Sequence, residues 1–134
     1  MPIFGAIGVA GTGVTAYRKW LDAVSDNIAN LNTVTATSGE AFRARYVIAE
    51  SVGDGQGTGG VQVSGIAFGD AEGRLVHEPD HPLADENGYV RYPDIDLGSQ
   101  MGHLMIAQRG YQANVAVIER AKDAYTAALQ LGKA

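Results

Sequence analysis

From Ile3 to Leu31, apolar side chains recur at sevens in two interleaved series. One is Ile7, Val14, Leu21 and Ile28; the other is Ile3, Ala10, Tyr17, Val24 and Leu31. Together they fill the a and d positions of consecutive heptads, so the spacing predicts a helix of coiled-coil character. At about 1.5 Å per residue it would run about 42 Å. Trp20 lies beside this seam. Gly8, Gly11 and Gly13 weaken the first half by about 1 kcal/mol each against alanine, so that end needs something packed on it.

The pattern changes between Asn32 and Tyr92. TVTATSGE reads as a loop. FRARYVIAE alternates like a strand, with Phe42, Ala44, Tyr46 and Ile48 on one side. SVGDGQGTGG reads as a flexible turn, VQVSGIAF as a second short strand and RLVHE as a third. The segment EPDHPLADENGYVRYP carries Pro79, Pro82, Pro93 and the pair Asn87-Gly88, a signal for a hairpin or tight turn.

Helical spacing returns from Asp94 to Leu131. Leu97, Leu104, Tyr111, Ile118 and Tyr125 form one series at sevens; Met101, Gln108, Val115, Lys122 and Leu129 form the other. Polar Gln108 and Lys122 interrupt the second series, a device that costs stability and fixes register. Asp94 or Asp96 can cap the start, and Gly132 suits the stop.

The expected class is α+β. Two long terminal heptad helices, in residues 1–33 and 94–134, form an antiparallel coiled-coil-like pair. A small β-rich insert, residues 34–93, loops out between them. Ordering a backbone costs about 1–2 kcal/mol per residue, so a lone helix with such a stripe needs a covering partner. The other helix is the obvious one. Val9, Trp20, Ile106, Val117 and Leu131 lie off the seam. They call for further neighbours, either other subunits or the insert.

Composition narrows the chemistry. The net charge is −5 with no basic stripe, which excludes a nucleic-acid wrapper. There are no cysteines, hence no disulfides or thiolate chemistry. No apolar run is long enough to span a membrane. The opening MPIFGAIGVAGTGV lacks the basic start of a secretory signal, so export is expected without a cleaved leader.

The catalytic temptations fail on spacing. GDGQGTGG lacks the Gly-Lys-Ser/Thr ending of a phosphate loop. The glycines at 8, 11 and 13 follow no strand. His77 and His81 stand four apart, but Pro79 breaks the helix that would aim both at a metal. His103 reads as a surface or interface residue. Asp94 and Asp96 make no acid–base pair, and Ser25 has no triad partners. No catalytic, metal or cofactor residue and no small-molecule substrate is expected.

Three motifs carry a resemblance. Ser25-Asp26-Asn27-Ile28-Ala29-Asn30-Leu31-Asn32-Thr33 resembles the N-terminal signature of bacterial flagellar axial proteins. His81-Pro82-Leu83-Ala84-Asp85-Glu86-Asn87-Gly88-Tyr89-Val90, then Pro93-Asp94, resembles the flagellar basal-body rod protein C family, a proximal-rod component. Arg109-Gly110-Tyr111-Gln112-Ala113-Asn114-Val115 is similar to that family's Arg-x-Tyr-Gln-Ala-Asn. Leu97-Gly98-Ser99-Gln100-Met101-Gly102 departs from it, and its glycines should soften the start of the second helix.

The resemblance implies a structural subunit of the basal body that is exported by the flagellar type III apparatus. It would polymerise into the periplasmic proximal rod, the drive-shaft segment between the motor ring and the distal rod and hook. Implied partners are other proximal and distal rod subunits, the rod–ring adaptor, the membrane ring and further copies in a helical tube. Another axial rod subunit is the neighbouring reading. A soluble module holding a small ligand in its Gly-rich loop is the remote one.

On this reading the working residues are subunit contacts. From the first helix they are the seam residues Ile7, Val14, Tyr17, Leu21, Val24, Ile28 and Leu31. Asn27, Asn30 and Asn32 on its flank are amides that fix register against a neighbouring chain. An amide buried without partners costs about 1–3 kcal/mol; the bland alternative is an Asn-capped helix end in water. From the second helix they are Leu104, Tyr111, Val115, Ile118 and Tyr125, with Gln112 and Asn114 beside them.

Overall fold

The computed structural model describes residues 3–53 and 59–133. The chain runs α1 (Ile3–Ala29), β1 (Arg45–Val52), β2 (Gly60–Phe68), β3 (Arg74–His77), β4 (Tyr89–Tyr92) and α2 (Leu97–Leu131). Two terminal helices thus bracket a small β insert, as the periodicities require. The centre of the expected Gly-rich turn, residues 54–58, lies outside the described residues. Among the described residues, no helix is long and apolar enough to cross a membrane.

Helix ends follow local chemistry. α1 stops at Ala29, where Asn30 takes over: its Nδ2 donates to the Asp26 carbonyl at 2.9 Å, and Thr33 Oγ1 donates to Asn30 Oδ1 at 3.1 Å. Asp96 caps α2, its carboxylate accepting from the Ser99 N–H at 2.7 Å. That cap starts the helix at Leu97 despite Gly98 and Gly102. α2 ends at Leu131, immediately before Gly132, which does not take a left-handed φ. The Gly132 N–H donates to the Ala128 carbonyl at 3.1 Å in an ordinary helical bond. Left-handed φ occurs, among the described residues, only at Gly73 (59°) and Gly88 (79°).

The first strand begins later than the alternation suggests. Phe42 and Ala44 precede it, and Ala41 and Ala44 are buried there while Tyr46 and Ile48 are exposed. β1 and β2 pair with each other. β3 and β4 pair antiparallel, Arg74 opposite Tyr92 and His77 opposite Tyr89. A further bridge joins Thr35 to Arg91.

The residues group into two compact units that both helices and the first two strands run through. The terminal unit comprises Met1–Leu21, Ile48–Gly65 and Met105–Ala134. Within it, α1 and α2 are antiparallel neighbours: Phe4 meets Tyr125 edge-on with ring centres 5.3 Å apart, and Gly13 faces Asn114. The other unit, Asp22–Val47 and Ile66–Leu104, is named here for its β3–β4 hairpin. Its interior contains Val24, Val90, Asn27 and Pro93, all essentially inaccessible.

Candidate assembly interface

Both helices turn a side toward each other that is one residue away from the side hydrophobicity selects. In α1 the series Ala10, Tyr17, Val24 and Leu31 is buried or half-buried, as expected. Its inward companion is Gly13, Trp20 and Asn27, with Gly13 and Asn27 buried. Ile7, Val14, Leu21 and Ile28 are displaced to the half-buried flank. In α2, Leu104, Tyr111 and Ile118 are half-buried, while Gln100 and Ala107 are buried beside them. The expected series Met101, Gln108, Lys122 and Leu129 is exposed, and Val115 is half-buried.

The cause is close approach by small residues. In the terminal unit, a Cβ on Gly110 would collide with the Tyr17 ring, so the missing side chain is the socket for that ring. A Cβ on Gly13 would strike the Asn114 amide. Asn114 folds back along its own helix, Nδ2 donating to the Gly110 carbonyl at 2.8 Å. The motif Arg-Gly-Tyr-Gln-Ala-Asn therefore supplies a socket and the amide beside it. Thr12, which periodicity gave no reason to select, connects α1 to β2. Its Oγ1 donates to the Val9 carbonyl at 2.6 Å and accepts the Val61 N–H at 3.1 Å. Gly60 leaves room for that hydroxyl.

The amide cluster divides by role. Asn27 is 1% exposed, and its expected partner in a neighbouring chain is replaced by its own chain. Its Oδ1 accepts the Arg45 N–H at 2.7 Å, and its Nδ2 donates to the Arg45 carbonyl at 2.9 Å and to Gln100 Oε1 at 3.1 Å. It thus pairs with both backbone groups of Arg45 as an adjacent strand would. The Arg45 guanidinium in turn donates to the Asp26 carboxylate. Neither Arg45 nor Gln100 could have been matched to Asn27 from spacing, because they lie 18 and 73 residues away. Asn30 caps the helix, and Asn32 is exposed. Val24 is buried at 2% exposure. Of the remaining candidates, Tyr125 is 40% exposed, Gln112 is exposed, and Leu104, Tyr111, Val115 and Ile118 are half-buried.

The hairpin motif is an aspartate-centred loop. Asp85 Oδ1 accepts the N–H groups of Asn87 and Tyr89, both at 2.9 Å, and Oδ2 accepts the Thr37 hydroxyl at 3.0 Å. The Tyr89 N–H is the largest influence holding this carboxyl below its ordinary pKa. Desolvation opposes it, and Thr37, Asn87 and Gly88 add to the lowering. Gly88 closes the tight turn, donating to the Asp85 carbonyl at 2.9 Å. Its positive φ and its closeness to His77 and Pro79 exclude a side chain there. Tyr92 donates to Glu78 at 3.0 Å, which raises the phenol's pKa; desolvation and the Glu78 charge act the same way and Arg74 opposes. The two histidines have separate surroundings. His77 stacks edge-on with Tyr89, and His81 Nδ1 accepts the Leu83 N–H at 3.1 Å.

Exposed large apolar residues are concentrated on the helices and the β1–β2 arm. Met101, Met105, Ile106, Val117, Leu129 and Leu131 are exposed on α2, and Ile48, Val52, Ile66 and Phe68 on the strands. Scattered exposed apolar residues need no account, but rows of them along one element mark a binding face.

Comparison with known proteins identifies the family. Residues 7–37 match the family model "Flagella basal body rod protein", and residues 86–131 match "Flagellar basal body rod FlgEFG protein C-terminal". The flagellar basal-body rod protein FlgC of Salmonella typhimurium is 37% identical over 134 residues, covering 99% of this chain and 100% of that protein. The FlgC of Bacillus subtilis is 33% identical over 150 residues, with coverage of 99% and 100%. That of Borreliella burgdorferi is 32% identical over 149 residues, with 98% of each covered. The motifs, the helix–insert–helix order and this full-length similarity place the chain in the FlgC family of flagellar basal-body rod proteins.

Proposed function

We propose that the chain is a structural subunit of the proximal rod, the periplasmic drive-shaft segment that passes torque from the motor ring to the distal rod and hook. It acts by packing and performs no catalysis. The observation that carries this reading is the displaced stripe. Small residues fill the contact between the two helices, so Ile7, Val14, Leu21 and Ile28 stay half-exposed and available to other subunits. Leu31, Tyr111, Val115, Ile118 and Tyr125 extend this surface, with Gln112 and Asn32 as its polar margin. Tyr17, Val24, Leu104 and Asn114 shape it from within, Asn27 and Asn30 hold the α1 end in place, and further copies and other rod subunits cover it. The rod–ring adaptor and membrane ring are partners on the same reading.

Such a surface orders fully only when covered, because interface burial offsets the entropy of ordering. Leu21→Asp and Ile118→Asp place a charge on the stripe. Each is expected to abolish swarming while the purified subunit keeps its β3–β4 structure. Normal swarming by both variants would overturn the packing role.

A further inference from the structure

Two patches of the β3–β4 unit have complementary chemistry. The first is a shallow cleft of about 240 Å³ lined by Phe42, Arg43, Arg45 and Phe68. The Arg43 guanidinium lies 5.4 Å from the centre of the Phe68 ring, and that of Arg45 lies 5.7 Å from the Phe42 ring. Aromatic faces hold guanidinium planes by cation–π attraction. Arg43 uses Nε on the Gly69 carbonyl at 3.0 Å, and Arg45 uses one nitrogen on Asp26. A guanidinium has several further donors in a fixed fork, so both remain able to receive carboxylates. Phe68 is 55% exposed. This is a local cationic, aromatic site on a chain of net charge −5.

The second patch is the loop between β3 and β4. Leu83 projects from it, 44% exposed, between the exposed residues Asp80 and Glu86. The loop is held in shape from within. Glu78 N–H donates to the Gly88 carbonyl, His81 N–H to that of Glu78 and Ala84 N–H to that of His81. The Glu78 and Asp85 carboxylates are engaged with Tyr92 and Thr37. Asp80 and Glu86 make no side-chain bond or ion pair among the described residues. A leucine flanked in sequence by two uncommitted carboxylates matches a cleft lined by two aromatic rings and two guanidiniums.

We propose that this loop of one copy docks into the Phe42–Phe68 cleft of a second copy. The contact rests on the rod-subunit reading and gives it a specific junction. Where the pairing is not reciprocal, each copy that offers its loop still has an empty cleft. Such head-to-tail contacts generate rings or helical series. Exposed ion pairs contribute only about 0–1 kcal/mol each, so the contact is weak between free subunits. It gains strength when helix packing holds copies side by side at high effective concentration.

The absence of native cysteines makes introduced thiols unambiguous. Basal bodies would be isolated from cells carrying the chain with both Phe68→Cys and Leu83→Cys, oxidised, and resolved without reductant. A ladder of disulfide-linked copies is expected, absent from either single variant. Adding Arg43→Glu should cut ladder yield up to about fivefold, and adding Asp80→Arg to that should restore it. Basal bodies that contain the chain but form no ladder overturn this contact alone, as does linkage of position 83 to a different rod component. A ladder indifferent to Arg43→Glu also overturns it. Absence of the unsubstituted chain from basal bodies overturns the rod reading, and this contact with it.

Discussion

The two units bury different things. Among the described residues, the β3–β4 unit encloses Val24, Val90, Ala23, Ala41, Ala44 and the paired amides of Asn27 and Gln100. In the terminal unit the buried apolar side chains are those of Ala10 and Ala107, and its helices meet through Gly13 and Gly110. Hydrophobic stabilisation scales with apolar area removed from water, about 25 cal/mol per Å², and alanine and glycine contribute little of it. The β3–β4 unit thus encloses the larger buried apolar side chains, Val24 and Val90. The terminal unit has helix contacts that are close but small, with Phe4, Met105, Ile106, Val117 and Leu129 left exposed. What separates the units is therefore how much apolar side chain each encloses. On the proposed rod packing, the terminal helices would depend on outside partners more than the β3–β4 interior does.

The largest effect that tests this contrast comes from Val90, which is fully buried. Val90→Asp puts an unpaired charge in the interior of the β3–β4 unit and should cost several kcal/mol. Purified protein is expected to lose its cooperative urea transition altogether. Ile118→Asp, in the terminal unit, should leave that transition in place. Equal loss in both variants would erase the distinction.

Next in size is Asn27→Ala. It strips the Arg45 N–H and carbonyl of their partner and leaves Gln100 unpaired, at about 1–3 kcal/mol for each buried group left unsatisfied. A total loss of about 3 kcal/mol is expected in urea unfolding. A loss under about 0.5 kcal/mol would mean that water replaces the amide freely.

A smaller, two-sided effect separates the glycines. Nothing stands within 4 Å of a Cβ placed on Gly8 or Gly11, whereas one on Gly110 meets the Tyr17 ring. Gly8→Ala and Gly11→Ala should each raise helix content in dilute monomer through a propensity gain of about 1 kcal/mol. Gly110→Ala should instead weaken assembly, because overpacking of about 1–3 kcal/mol exceeds that gain. Circular dichroism and sedimentation would read the two outcomes, and a stabilised, assembly-competent Gly110→Ala would show that the socket is unoccupied.

The smallest effect is confined to the β3–β4 loop. The Asp85 carboxyl has a lowered pKa in the folded chain. Its contribution is present above the ordinary carboxylate value and is lost as pH falls through the folded value below it. Amide exchange at Asn87 and Tyr89 should accelerate on acidification through that range. Asp85→Asn should remove the dependence, and an unchanged profile would assign it to another carboxylate.

Much of the architecture was legible because helices announce themselves by spacing. The ranges of α1 and α2, the Asp96 cap and the tight turn at Asn87-Gly88 all follow from local chemistry. Which side of each helix faces inward was not legible. Hydrophobicity selects Val14, Leu21 and Met101, but the small residues Gly13, Ala107 and Gly110 sit inward, with Gly13 and Gly110 receiving the Asn114 amide and the Tyr17 ring. The amide motif was half legible. Asn30 caps by a local rule, while the partner of Asn27 depends on where the chain returns after a long excursion. Thr12 gave no signal, since its value lies in a β2 amide that arrives from far along the chain.

Asp26 and Asn27 together take hold of a single residue, Arg45, by its amide, its carbonyl and its side chain, at the point where β1 begins. A tug on the strand at that point is divided among several bonds stretched side by side, instead of unzipping them in turn. In a rod subunit, such a rivet lets β1 share strain with the helix without coming loose.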